Sequence, residues 1–401
     1  MTTLPHVVVL HRWRDRYAEY ASYLDHRIHA VTYISTDVGV ESLPATAREV
    51  VVVPATDDVD VVSGVVGALA ERNGPPERIV ALKEDDLLVA AQLRAEWGCP
   101  GPTVAETTPF RDKLAMCRAV ADAGVDVPVF APADAPSDLL AFAGAHGWPV
   151  VLKPRAGSSS AGVVVLQRQQ DLPATVSGAM VQAYNPGAVH HVDGVFDGSA
   201  LATWKVSRYL GSCLGFRAGV PLGSVEIDDD DLHAVVGAFA GRVLRALTAQ
   251  PTVFHLELFA DRDEFRFLEV GARAGGAEVP FLWRELHGYD LNEAAFHIAM
   301  GERPPPPAPV AVDSSVGGWL IVPAPAERPC RIERSIPMLG TVPELYAEVV
   351  PEEGDVLPAA DAYYEHVGGR FRFRGTSTAA VAAAVSKIAA EYRISGTVLG
   401  L

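Results

Sequence analysis

Residues 253–276, VFHLELFADRDEFRFLEVGARAGG, decide how the rest of the chain is read. Two alternating runs, Val253 to Ala260 and Phe265 to Gly271, flank a turn of Arg262, Asp263 and Glu264, the pattern of an antiparallel hairpin. His255, Glu257 and Phe259 share one face of the first strand, and Phe265, Phe267, Glu269 and Gly271 share one face of the second. If Asp261 pairs with Phe265 around a three-residue turn, Glu257 and Glu269 stand opposite each other. Two unneutralised carboxylates so placed repel, and no lysine or arginine occupies a facing position. A bridging magnesium ion removes the repulsion, and hard oxygen ligands suit a magnesium that phosphates also hold. The alternative is a pair of solvated glutamates on an exposed face. Arg273 follows Glu269 by four residues in a glycine-rich bend, from which a guanidinium either reaches over the metal to steady oxyanion charge or stays in a surface turn.

Working outward, Pro149 to Lys153 reads as a strand that delivers a lysine into the small-residue loop Gly157-Ser158-Ser159-Ser160-Ala161-Gly162. Exposed backbone N–H groups in such a loop wrap an anion, although a plain mobile turn has the same composition. The lysine precedes the glycines, so this is not a P-loop. Ala179 to Tyr184 reads as a further strand, ending at Asn185-Pro186-Gly187. Thr108-Pro109 is expected to open a helix that runs past Lys113 to Gly124, and Ala135 to Gly147 reads as another.

Over the first hundred residues four short β-branched runs, His6 to Leu10, Ala30 to Ile34, Val50 to Val53 and Arg78 to Leu82, alternate with helical stretches and predict a parallel α/β unit. His11-Arg12-Trp13-Arg14-Asp15 follows the first strand where a dinucleotide-binding unit carries glycines, which argues against that type of site there. The proline-rich run Arg303 to Pro309 reads as a linker into a last α+β segment, with strands at Val316 to Val322 and Gly369 to Phe373 and a helix at Thr378 to Tyr392.

The balance of 33 basic and 50 acidic residues, a formal charge of −17, disfavours nucleic acid and anionic membranes as partners, because no basic stripe offsets it. The short apolar run near the N-terminus is too brief for a signal peptide or a membrane span. Cys99, Cys117, Cys213 and Cys330 lack metal-ligand spacing and fit free thiols in a reducing compartment, so a cytoplasmic protein is expected.

Taken in order, Arg111-Asp112-Lys113, Lys153-Pro154 with its loop, the strand to Tyr184, Glu257, Glu269 and Arg273 resemble the ATP-grasp superfamily over most of the chain. The resemblance implies a mixed α/β and α+β fold in three parts: an N-terminal parallel α/β domain (1–105), a lid and central subdomain (106–185), and a C-terminal domain with the metal site and the terminal α+β segment (186–401). It implies that ATP and magnesium bind, with manganese able to replace magnesium. Lys113 and Lys153 would contact phosphates, and Gly157, Ser158, Ser159 and Ser160 would close over them. The backbone of Gln182, Ala183 and Tyr184 would recognise adenine, with Leu268 against the purine, while Glu257 and Glu269 hold the metal.

Gln182 and Val189, where relatives often have glutamates, leave the ribose contact open. Gly271 stands where many members have a third, asparagine ligand; in this the chain is similar to the dipeptide-forming L-amino acid ligases. That subfamily would put Gly275, Gly276 and Ala277 in the amino-acid pocket. The segment Trp204 to Leu222 would face the same cleft, with Arg217 pairing a substrate carboxylate. His190, His191 and His255 read as structural histidines.

The implied activity joins a small carboxylic acid, activated as an acyl phosphate, to an amine or amino acid, with Arg273 steadying the acyl oxygen. A homodimer is the state many relatives adopt. Two rivals stand beside it: an ATP-grasp carboxylase or ligase with another acceptor, and a non-catalytic nucleotide-binding regulator.

Overall fold

The computed structural model describes residues 4–261, 264–306, 315–359 and 367–400. Strands His6–His11, Ala30–Ser35, Glu49–Val52 and Pro76–Ala81 form a parallel sheet in which the first strand lies between the second and the fourth. The first strand is buried along its whole length. Helices Val59–Asn73 and Leu87–Trp97 pack Val62, Val66, Leu69 and Leu93 on one face, and Tyr20, Tyr23 and Phe296 cover the other. Cover on both faces is why this strand reads as a continuous apolar run rather than as an alternation.

A second sheet orders Phe130–Ala133, Ala179–Ala183, Val150–Pro154 and Val164–Leu166, all antiparallel, under helix Pro136–His146. The third sheet has eight antiparallel strands in the order Glu264–Gly271, Thr252–Asp261, Ala188–Phe196, Leu201–Leu210, Leu222–Glu226, Val316–Pro323, Val367–Gly375 and Leu345–Val349. Helix Asp230–Leu247 lies on one face and buries Val236, Phe239, Ala240, Val243, Leu244 and Leu247, the i, i+3, i+4, i+7 set of an amphipathic helix. These meet Phe254, Leu256 and Leu258, so alternation turns His255, Glu257 and Phe259 to the opposite face.

Two expected details differ. Thr108–Phe110 makes only a 3₁₀ turn, and the α-helix runs Lys113–Asp122. Asp112 is the stronger cap, since its carboxylate accepts from the N–H groups of Leu114 at 3.0 Å and Ala115 at 3.2 Å, and this puts Lys113 in the first turn. In the hairpin, Asp261 pairs with Glu264, not Phe265; Arg262 and Asp263 lie outside the described residues, as do residues 307–309 of the proline-rich run. A bulge at Leu268 then supplies the residue that the shorter turn omits, so Glu257 still pairs with Glu269.

Candidate active site

Two adjoining clefts lie between the sheets. The first, about 400 Å³, is lined by Lys113, Lys153, the Gly157–Ala161 loop, the Gln182–Val189 segment, Tyr209, Glu257, Leu268 and Glu269. The second, about 470 Å³, takes Lys83, Glu84 and Asp85 from the N-terminal sheet and Arg217, Arg273, Gly275, Gly276 and Ala277 from the large one. Ser158 and Ala161 line both, which makes the serine loop the wall between them. The loop backbone is left-handed at Ser159 and Ser160, with φ of 51° and 55°. Non-glycine residues adopt that conformation at a cost, and left-handed residues in a tight loop are one ingredient of an anion-binding turn. Gly162 closes the loop where a Cβ would lie 2.8 Å from Pro154 Cγ.

Each hairpin carboxylate has one oxygen committed to the protein. The Tyr209 hydroxyl donates to Glu257 Oε1 at 2.7 Å, and His255 Nε2 lies 3.4 Å from the same atom. Lys113 Nζ donates to Glu269 Oε2 at 2.6 Å. The cation that the facing positions lack therefore comes from the helix at Lys113, 156 residues away. It carries Glu269 down to about 2: burial alone would raise the group, and the lysine charges outweigh it. Among the described residues no hydrogen bond occupies Glu257 Oε2 or Glu269 Oε1, which leaves one hard oxygen from each strand. That donor set fits magnesium, which takes one or two carboxylates and fills its shell with phosphate oxygens and water.

Lys153 Nζ donates to Gln182 Oε1 at 2.7 Å in a buried pair, and burial lowers the lysine pKa. Gln182 Nε2 is then a buried donor with no partner among the described residues, the kind of group a ligand acceptor satisfies. In the same strand Ala183 N–H donates to Val129 O at 2.8 Å, so that hinge group is committed to the sheet.

Arg273 turns from the bend toward the N-terminal sheet, where Nε donates to Glu84 Oε2 at 2.8 Å and Nη1 to Ala274 O. The other oxygen of Glu84 accepts from Arg111 at 2.6 Å. An ideal Cβ at Gly271 would already lie 3.4 Å from Glu84 Oε2, so a longer side chain there competes with the Arg273–Glu84 pair for space. Arg217 lines the second cleft but gives Nε to Ser159 O at 2.6 Å, bracing the loop. Asp85 braces it from the other side, accepting from Ser158 Oγ at 3.3 Å.

Not all of the Trp204–Leu222 segment faces a cleft. Tyr209 and Gly211 to Leu214 line the first, whereas Trp204 points to the helix face, stacked on His233 at 3.8 Å, because alternation along the strand puts it there. His191 and His255 each hold Asp193, at 2.6 and 2.8 Å. Glu84, Asp85, Asp193 and Tyr209 escape the sequence reading. For Asp193 a signal exists: His191 and Asp193 alternate on the strand AVHHVDGVF, facing Glu257 and His255. Glu84 carries none, since its partners Arg111 and Arg273 are distant in the chain, and the one local partner of Asp85, Lys83, which donates to it at 2.6 Å, marks only a short-range ion pair.

No protein-family model matches the chain. It is 23% identical over 307 residues to an L-arginine-specific L-amino acid ligase of Bacillus subtilis, covering 71% of this chain and 72% of that protein. The crystal structure of an L-amino acid ligase from Bacillus licheniformis superposes with a TM-score of 0.75 at 15% identity, over the full length of both chains. The biotin carboxylase domain of a 2-oxoglutarate carboxylase from Hydrogenobacter thermophilus, solved with MgADP and bicarbonate, gives 0.66 at 16% identity, over 99% of this chain and 92% of that one.

Proposed function

We propose that this chain, which has the ATP-grasp fold, is an ATP- and magnesium-dependent carboxylate-amine ligase that joins a small carboxylic acid, most simply an amino acid, to an amine or a second amino acid. The observation that carries the reading is the pair Glu257 and Glu269, each with one uncommitted oxygen, at the floor of a cleft roofed by the left-handed serine loop. The working division into segments 1–105, 106–185 and 186–401 accompanies it.

In this reading Glu257 and Glu269 would hold magnesium, which when bound would supply charge neutralisation to the polyphosphate. Lys113 and Lys153 add positive charge from the cleft wall, and the N–H groups of residues 157–160 cradle the terminal phosphate. Gln182 Nε2, with the backbone carbonyl of Ala183 and the backbone of Tyr184, meets the adenine edge, and Leu268, at its bulge, packs on the ring. The substrate carboxylate attacks the γ-phosphorus, giving an acyl phosphate and ADP. The amine then adds to the acyl carbon and phosphate leaves, while Arg273, aimed by Glu84, stabilises the acyl oxygen as charge builds on it. Arg217 and the small residues Gly275, Gly276 and Ala277 shape the second cleft for the organic substrates. Gly271 in place of a third ligand favours the amino-acid ligases over carboxylases as the nearest comparison.

The test is phosphate release from ATP over pairs of amino acids and related acids, with mass spectrometry of the products. At least one pair is expected to give a condensed product with stoichiometric ADP and phosphate, and Glu269→Gln is expected to lower that rate by roughly a hundredfold or more. Nucleotide binding with no phosphate release from any pair favours the regulator instead.

A further inference from the structure

Beneath the proposed metal-binding hairpin, His191, Asp193 and His255 bring three ligand-type atoms within 4.8 Å of one another, all buried. Their own hydrogen bonds occupy those atoms: both Nδ1 atoms face Asp193, and His191 Nε2 lies 2.7 Å from Ser224 Oγ. The cluster is therefore saturated as it stands, and its directionality is informative.

Asp193 sends two arms to a single atom. One is His255, which lies opposite it across the ladder and turns Nε2 toward Glu257 Oε1 at 3.4 Å. The other is His191, whose ring lies 4.7 Å from that of Tyr209 at 34°, and the Tyr209 hydroxyl donates to the same Oε1 at 2.7 Å. The platform is rigid: a Cβ at Gly194 would lie 2.2 Å from Thr203 O, and one at Gly275 would lie 2.3 Å from Asp193 Oδ1. The bend that carries Arg273 thus packs on the same carboxylate.

We propose that Asp193 is a positioning residue which, through His255 and through His191 and Tyr209, fixes Glu257 Oε1 and so leaves Oε2 to face the metal, setting the metal affinity of the site. The proposal rests on the ligase reading above. Partners of this kind behind a ligand typically tune metal affinity by roughly tenfold to a hundredfold. In Asp193→Asn one ring nitrogen meets an amide N–H in place of a carboxylate oxygen, so that histidine must give up its Nδ1 proton or lose the contact, and the charge that orients both rings is gone.

The experiment measures Mn²⁺ binding by electron paramagnetic resonance at saturating ADP, ADP binding without metal by calorimetry, and the melting temperature. Asp193→Asn is expected to weaken Mn²⁺ roughly tenfold or more while metal-free ADP binding stays at the wild-type value. Tyr209→Phe, which keeps the ring and deletes only the donor, is expected to weaken Mn²⁺ severalfold, and the double variant by less than the product of the two, since both act on one atom. Lowered melting temperatures with wild-type Mn²⁺ affinity in the folded protein overturn the proposal. If Asp193→Asn does not fold, Tyr209→Phe decides, and a Mn²⁺ constant within about twofold of wild type refutes it. A wild-type protein that binds no Mn²⁺ with ADP overturns the ligase reading itself, a different result from wild-type binding that no variant alters.

Discussion

Arg273 shows how one side chain serves two ends of the molecule. Its guanidinium is half-buried at the wall of the second cleft, and desolvation taken alone disfavours the charge, but Glu84 more than offsets this and raises its pKa. Because Glu84 accepts from Nε, the planar fork is held in one orientation, which a lysine ammonium cannot reproduce. Arg273→Lys is therefore expected to lower kcat for ligation by roughly a hundredfold to a thousandfold with little change in the KM for ATP, measured by steady-state phosphate release. His255 makes a second prediction at this scale. Burial alone would lower its pKa, yet the neighbouring Asp193 carries it up to about 9. A folded-state value above the ordinary one near 6.5 means the stabilisation is complete below about pH 6.5 and is lost as pH rises through about 9. Urea unfolding between those limits should show a decline in stability that His255→Gln flattens.

At the scale of elements, the hairpin that carries Glu257 and Glu269 is legible because its information is local: two alternating runs and a turn fix which side chains share a face. The assumed register has a wrong turn and a right outcome, since the bulge at Leu268 compensates for a shorter loop. A bulge leaves no mark in an alternation count. Between Pro186 and Val253 the sequence pattern predicts no element, although three strands, the short helix Cys213–Arg217 and the helix Asp230–Leu247 lie there. Strands such as Ala188–Phe196 are buried on both faces, so apolar and polar residues no longer alternate with exposure. That helix carries its own prediction. Gly237→Ala in a helix interior ordinarily gains about 1 kcal/mol. Here the indole of Trp204 lies on the glycine, and a Cβ would come within 2.1 Å of its ring. The sign should reverse, with Gly237→Ala losing about 1–3 kcal/mol in chemical denaturation through displacement of the ring.

Across the whole molecule, the second cleft exists only while the N-terminal sheet stays docked, because Glu84 and Asp85 reach it from there. No local pattern announces this dependence; apart from Lys83 beside Asp85, the partners of these acids are Arg111, Ser158 and Arg273. The docking is built from a helix of the distal part, Leu291–Ala299, whose Phe296 enters the N-terminal core between Tyr20 and Tyr23. Around it, the Tyr23 hydroxyl donates to Asp290 at 2.6 Å and Arg370 forks onto Asp15 at 2.7 and 2.9 Å. Phe296 is fully buried, so Phe296→Ala should cost about 3–5 kcal/mol of stability, part of it in the contact between the two sheets. The consequence for function is specific. Loosened docking withdraws Glu84 from Arg273 while leaving Lys153, Gln182 and the hairpin carboxylates in place, so nucleotide affinity should hold near wild type. Ligation should fall, and it should fall further as urea is raised through a range in which the wild-type rate is flat. A variant that loses ADP affinity and ligation together would show instead that the first cleft also depends on the docked sheet.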